Sequence, residues 1–177
     1  MTASRLMDIY FSSVGRNSVL LLNIPPDKDG LISDADIRSL RAWRLRMDST
    51  FSVNLAVGAT VSGDRGVNPG AMLDGKPHTY WTTRGDTVAT MELALKGEKT
   101  FDVLLLGEAI WVGQRVERFA FDVKENGEWK EVVSGTTIGY KRLLRFPPVT
   151  THTIRLRILS SRMNPTIAQF GLYKLAE

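Results

Sequence analysis

The segment from Leu73 to Trp81 gathers the residues of this chain that are best suited to bind a cation. Asp74 and Thr79 lie close together in the sequence, and the intervening Gly75 and Pro77 favour a tight loop. Carboxylate and hydroxyl oxygens on such a loop, completed by backbone carbonyls, suit a hard cation such as Ca²⁺. The alternative is that Asp74 caps a turn through a hydrogen bond to the backbone. The sequence therefore predicts either a calcium site or an Asx turn here.

Glu108, Gln114 and Arg115 form a second polar group, whose residue types could be mistaken for a catalytic cluster. Hydrolysis by paired carboxylates needs two of them about 5–10 Å apart, and Glu108 has no second carboxylate in its own loop. We therefore expect Glu108 and Arg115 to form a structural ion pair or to contact another domain, and Arg142 has the same interpretation. The chain contains neither a Gly-x-Ser-x-Gly motif nor a phosphate-binding glycine loop, so no catalytic residue is assigned.

The composition is that of a folded globular protein, with 43% apolar and 24% charged residues. The net charge is +4, but the Lys and Arg residues are scattered, so we expect no nucleic-acid partner. The longest apolar run, Val19 to Leu22, is far shorter than a membrane span, so we expect no membrane association. The first residues show no signal-peptide pattern. Cysteine is absent, which excludes disulfides, thiolate metal ligands and a cysteine nucleophile.

The pattern changes near residue 50, and residues 1–50 predict a strand, a turn and a helix. Val19 to Ile24 is a short apolar run, which favours a buried parallel strand. Ser33 is a good N-cap, and apolar residues recur at helical spacing from Ile37 to Met47. One such βα unit cannot bury both faces of its strand alone. We therefore expect it to be weakly ordered unless it docks on the rest of the chain or self-associates.

Residues 51–177 predict short strands with Gly-rich or Pro-containing loops between them, which is typical of an antiparallel sandwich or jelly roll. Asn126-Gly127 indicates a tight hairpin turn, and Trp129 is expected in the strand that follows. Trp81 is expected to pack into the core. The predicted strands cover residues 54–61, 88–95, 101–106, 115–124, 128–133, 138–146, 152–159 and 166–173.

The N-terminal segment carries a family resemblance. Residues 10–27, reading YFSSVGRNSVLLLNIPPD, together with Gly30-Leu31 and residues 36–40, resemble the last strand region of glycoside hydrolase family 29, the α-L-fucosidases. That family has a (β/α)8-type barrel with an Asp nucleophile and a separate acid/base carboxylate, both upstream of this segment. The resemblance implies that residues 1–50 are the terminal strand and helix of such a barrel, without its catalytic carboxylates.

The C-terminal part resembles the galactose-binding-like sandwich of discoidin and coagulation factor 5/8 type C domains, including family 32 carbohydrate-binding modules. The motif is LDGKPHTYW at residues 73–81, preceded by Asn54-Leu55-Ala56, and the blocks at 107–116 and 136–142 resemble the version found in fucosidases. The resemblance implies a mainly β fold. It consists of a jelly-roll sandwich over residues 51–177 preceded by the βα remnant of a barrel.

The resemblance also implies roles for individual residues. In family 32 modules the loop holds a structural calcium through an Asp and a Thr, which correspond to Asp74 and Thr79. Gln169 stands where an acidic ligand is usual, which would weaken the site. His78 is either a galactose-type sugar contact or a solvated loop residue. Trp111 is either a sugar-stacking platform or a contact to the barrel.

The sequence therefore leaves three alternative functions. The first is the C-terminal fragment of a bacterial α-L-fucosidase, inactive by itself, whose parent is secreted or periplasmic. The second is a stand-alone carbohydrate-binding module for terminal galactose or fucose. The third is a structural domain that supports the barrel. The expected partners are fucosylated or galactosylated glycans, the catalytic barrel and, through residues 1–50, a second copy of the chain.

Overall fold

The computed structural model describes residues 1–63 and 66–176, and most of its regular structure is antiparallel β. One sheet has the strand order β1-β4-β7-β5-β6, with β9 also paired to β4, and a smaller sheet has the order β2-β3-β8. This architecture confirms the expected mainly β fold. The strands are β1 Thr60–Gly63, β2 Gly66–Val67, β3 Trp81–Thr83, β4 Ala89–Gly107, β5 Val116–Glu125, β6 Glu128–Gly135, β7 Arg142–Ser161, β8 Thr166–Ile167 and β9 Gln169–Tyr173.

Two pairs of predicted strands are joined in the structure into the long strands β4 and β7. These strands pair with each other from Ala89, opposite Ile158, to Leu106, opposite Arg142. The register shifts between Ala94 and Lys99, where a polar, glycine-containing stretch made the sequence resemble a loop. A β-bulge carries such residues without ending the strand.

The core between the sheets is aromatic. Trp81 is only 1% exposed, which confirms its predicted place in the core. Phe101, Phe121 and Phe146 make edge contacts or tilted contacts with ring centroids about 6 Å apart. The predicted hairpin is also confirmed, because β5 and β6 pair across Asn126 and Gly127.

The N-terminal region differs from the prediction. It forms two helices, α1 Ala3–Ser12 and α2 Asp34–Phe51, of which α1 was not predicted. Helix α2 begins as predicted, with the Ser33 hydroxyl accepting a hydrogen bond from the backbone N–H of Asp36. The strand predicted over Val19 to Ile24 is wrong for this chain, since these residues lie outside every strand. In the described part of the chain no strand pairs with them, so their backbone groups lack the partners that a ladder requires.

The helices pack on the large sheet and close a second core. Met7 and Phe11 of α1 are buried together with Val103 of β4 and Leu143 of β7. The segment after β9 is hydrogen-bonded to α2: the backbone N–H of Ala176 donates to the Thr50 hydroxyl at 3.1 Å. Residues 1–50 therefore dock on the sandwich. Neither helix combines the length and apolar content that a bilayer-spanning helix requires, within the described part of the chain.

Candidate functional site

The Asp74 loop forms a compact turn at the surface. A short 3₁₀ helix over Ala71–Leu73 ends at Asp74, and Gly75 follows with a φ of 70°, where glycine is favoured. The Asp74 carboxylate accepts hydrogen bonds from the backbone N–H of Lys76 at 2.8 Å and from the Thr79 hydroxyl at 2.8 Å. The Lys76 N–H is the main cause that lowers the pKa of Asp74, and the Thr79 hydroxyl lowers it further. The Asx turn predicted as the alternative is therefore formed.

The same loop carries two aromatic rings to Trp111. The His78 and Trp111 rings meet edge-on with centroids 5.6 Å apart, and Tyr80 and Trp111 do so at 6.2 Å. The Trp111 side chain remains 51% exposed. Residues 68–71, Asp74, His78–Tyr80 and Thr82 line a cleft beside this group. The structure thus joins His78 and Trp111, which were predicted separately, and adds Tyr80, which sequence reasoning placed only in the motif.

The Arg115 side chain anchors the short segment that carries Trp111. Its guanidinium donates to the Asn164 carbonyl and side-chain oxygens at 2.9 and 3.0 Å and to the Val112 carbonyl at 3.1 Å. The Asn164 amide in turn donates to the Thr82 hydroxyl at 2.7 Å. Asn164 was missed from the sequence, since nothing local connects it with a loop about 50 residues earlier.

Glu108 joins two loops through its carboxylate. It is 2% exposed and accepts hydrogen bonds from the backbone N–H groups of Arg115, Val116 and Gly139 at 2.7–2.9 Å. The predicted ion pair is therefore wrong, because Glu108 binds the backbone of Arg115 and not its guanidinium. A carboxylate held by three backbone donors fixes loop geometry and is not placed to transfer protons. Its role in an interface with another domain stays a prediction.

Arg142 lies where the N-terminal segment meets the sandwich. It faces Arg16 across an antiparallel bridge, and the backbone N–H of Leu143 donates to the Gly15 carbonyl at 2.9 Å. The Asn17 side chain adds bonds to the backbone of Ile138 and Lys141. Burial lowers the pKa of Arg142, and the charge of Arg16 lowers it further.

The residues that would hold calcium form an incomplete set. Ca²⁺ takes about six to eight oxygen ligands, and the Asp74 loop offers one carboxylate, one hydroxyl and backbone carbonyls. Gln169 lines a neighbouring cleft together with residues 73 and 75–77. No three His, Asp or Glu side chains converge as metal ligands among residues 1–63 and 66–176. These oxygen donors are of the type that Ca²⁺ binds, but Asp74 is the one among them that carries a negative charge.

Comparison with known proteins supports a definite family. The model of the F5/8 type C domain matches residues 56–170. The chain is 37% identical to putative alpha-L-fucosidase 1 of rice and 39% identical to alpha-L-fucosidase 1 of Arabidopsis thaliana, in each case over 97% of its own length. It superposes on the crystal structure of a putative alpha-L-fucosidase from Bacteroides thetaiotaomicron with a TM-score of 0.94 and 36% identity, over 99% of this chain and 40% of that one.

The match is confined to a part of these relatives. The chain spans 35% of the rice protein and 36% of the Arabidopsis protein. The relatives come from plants as well as bacteria, so the expected bacterial source has no support. The matched segment fills most of the sandwich and includes the Asp74 loop, Trp111 and Glu108. The chain belongs to the F5/8 type C domain family.

Proposed function

We propose that this chain is the ancillary, C-terminal part of an α-L-fucosidase-type glycoside hydrolase, without hydrolytic activity of its own. The observation that carries the proposal is that nearly the whole chain aligns with about a third of two α-L-fucosidases. The rest of such an enzyme would supply the catalytic barrel, and hence the nucleophile and the acid/base that retaining hydrolysis requires.

The chemistry of the described residues supports the lack of activity. Of the carboxylates discussed above, Glu108 accepts hydrogen bonds from three backbone N–H groups. Asp74 is the one of them that lines the cleft beside His78 and Tyr80. Incubation of the purified chain with an aryl α-L-fucoside tests this. We expect no turnover above a heat-treated sample, and turnover proportional to added protein would overturn the proposal.

A second function, recognition of terminal fucose or galactose, has its own support in the cluster of His78, Tyr80 and Trp111. The half-exposed Trp111 indole offers an apolar platform for a sugar ring. Asp74 and Thr79 line a cleft together with His78 and Tyr80, and their oxygens would be polar partners for sugar hydroxyls where no cation occupies them. Glycan binding and the ancillary role are compatible, because a bound glycan would hold the enzyme near its substrate.

The structural role is the third candidate, and we propose the barrel itself as a partner. Val19 and Leu21 are exposed apolar side chains on the segment between the two helices. A covering domain would bury them, and a lone chain leaves them available for contact with a second copy. The parent enzyme, in this proposal, is exported to the periplasm or the exterior, where glycans are met.

Calcium is proposed as a structural ligand of the Asp74 loop. It would be held by Asp74, Thr79 and nearby backbone carbonyls, with Gln169 in place of a charged ligand. When bound, the cation would hold the loop closed and so fix the positions of His78 and Tyr80.

A further inference from the structure

Arg16 and Arg142 form a like-charged pair at the end of the sandwich core. They face each other across an antiparallel bridge, the arrangement in which side chains lie on the same side of the ladder. Arg142 pairs in register with Leu106, whose side chain is fully buried, so Arg142 is directed towards the core end. One of its terminal nitrogens lies close to Gly135, at the end of β6.

Neither guanidinium has a counter-ion within the described residues. Two acidic side chains from the segments that flank the pair are engaged elsewhere: Asp8 pairs with Arg145 at 2.9 Å, and the Glu108 carboxylate accepts three backbone N–H groups. The Nε atom of Arg142 is buried and has no hydrogen-bond partner within the same part of the chain. This pair thus lacks the neutralisation that Arg155 and Arg157 obtain from Asp122.

Such an arrangement is unfavourable unless an anion completes it. Like charges directly opposite each other on paired strands are destabilising. A buried, unsatisfied guanidinium N–H adds the cost of lost hydration. The rigid fork of donors on each guanidinium matches two oxygens of a carboxylate, sulfate or phosphate. A single oxyanion would therefore relieve both the repulsion and the unsatisfied donor.

We propose that Arg16 and Arg142 form an oxyanion-binding site, with Arg142 as the anchor and the exposed Arg16 closing over the ligand. Two sources share this chemistry. One is an acidic side chain of a domain that also covers Val19 and Leu21, which follow Arg16 closely in the chain. The other is a free small anion.

The first experiment titrates the chain with sodium sulfate at constant ionic strength, with chloride as the balancing salt. NMR signals of the Nε–H groups of Arg16 and Arg142 report the binding, and the melting temperature is measured in parallel. We expect saturable shifts of both signals and a rise in melting temperature. Arg142→Gln should weaken sulfate binding by at least about tenfold, because it removes the bidentate donor.

Two further variants keep the test decisive if Arg142→Gln folds poorly. Arg16→Gln alters an exposed side chain and should raise the melting temperature in sulfate-free buffer, since it removes repulsion, while it weakens the sulfate response. Arg38→Gln, on an exposed position of α2, is the matched control and should respond as the parent does. An equal sulfate response in all the proteins, or no saturable response in the parent, would overturn the proposal.

A second arm separates the two sources, and this arm alone rests on the proposed function. The titration is repeated on a longer polypeptide that carries the rest of a fucosidase-type enzyme. Loss of the sulfate response there assigns the oxyanion to an acidic side chain of the added part. A retained response assigns it to a free anion. Absence of a response in the short chain overturns the site itself, whatever the longer polypeptide does.

Discussion

The indole of Trp111 and the imidazole of His78 meet nearly at right angles, with ring centroids 5.6 Å apart. They come from loops more than thirty residues apart in the chain, and the contact leaves about half of the indole open to solvent. Edge-to-face packing of this kind restricts the orientation of the indole. The exposed part of the ring is therefore held in a defined position beside the cleft formed by the Asp74 loop.

Trp111→Ala should weaken binding of galactose- or fucose-terminated oligosaccharides by about tenfold or more, since loss of a central aromatic contact dominates small interfaces. Titration calorimetry measures the affinity. Trp129→Ala is the matched control, because Trp129 lies on β6 and its ring is covered by the guanidinium of Arg155. The distance from the guanidinium carbon to the Trp129 ring centroid is 4.3 Å. Equal affinity in the parent and in Trp111→Ala would show that the aromatic cluster is not the sugar site.

Calcium should raise the melting temperature of the parent relative to EDTA and leave Asp74→Ala unchanged. A ligand bound by the folded state alone stabilises it by about 2.7 kcal/mol at a hundredfold excess over Kd. Because Gln169 carries no charge, we expect a high Kd and hence a smaller stabilisation at a given calcium concentration. Gln169→Glu should therefore increase the calcium response. If the parent melts at the same temperature in EDTA and in calcium, Asp74 is a turn residue alone.

The contrast between Trp81 and Arg16 shows how far sequence alone could go. Trp81 was placed in the core because a large apolar residue after a tight loop has few other stable positions, and Ser33 marked the start of α2 because capping is local. The Arg16–Arg142 pair depends on a bridge between residues 126 positions apart, which no local pattern encodes. The strand predicted over Val19 to Ile24 failed for a related reason, since a strand requires partners that its own residues do not specify.

Asp122→Asn should reduce both the stability of the protein and its dependence on pH under acidic conditions. Burial by itself would raise the pKa of Asp122, but hydrogen bonds and charges from Arg157 and Arg155 outweigh it and lower the pKa. A lowered carboxyl pKa stabilises the folded state above the unfolded pKa of about 3.9, and this contribution is lost as the pH falls through the folded value.

At neutral pH we expect Asp122→Asn to lower the free energy of unfolding by about 2 kcal/mol, less than the 3–5 kcal/mol typical of buried pairs because both arginines remain partly exposed. Urea unfolding between pH 7 and pH 2 measures it. The difference between parent and variant should shrink towards the acidic end. A constant difference across the series would contradict the assigned charge state of Asp122.

Leu6→Ala and Leu21→Ala test whether residues 1–50 are an integral part of the fold. Both leucines belong to the N-terminal region, but Leu6 on α1 is 3% exposed and Leu21 is 92% exposed. Leu6→Ala should lower the free energy of unfolding by about 2–4 kcal/mol through lost burial and a residual cavity, whereas Leu21→Ala should stay within about 0.5 kcal/mol. Denaturant unfolding followed by tryptophan fluorescence measures both.

Because the helices share a core with Val103 and Leu143, removing residues 1–50 should expose that face and make the sandwich less stable and less soluble. If both leucine variants unfold like the parent, the helices do not contribute to the folded core, and the sandwich stands alone from about residue 50.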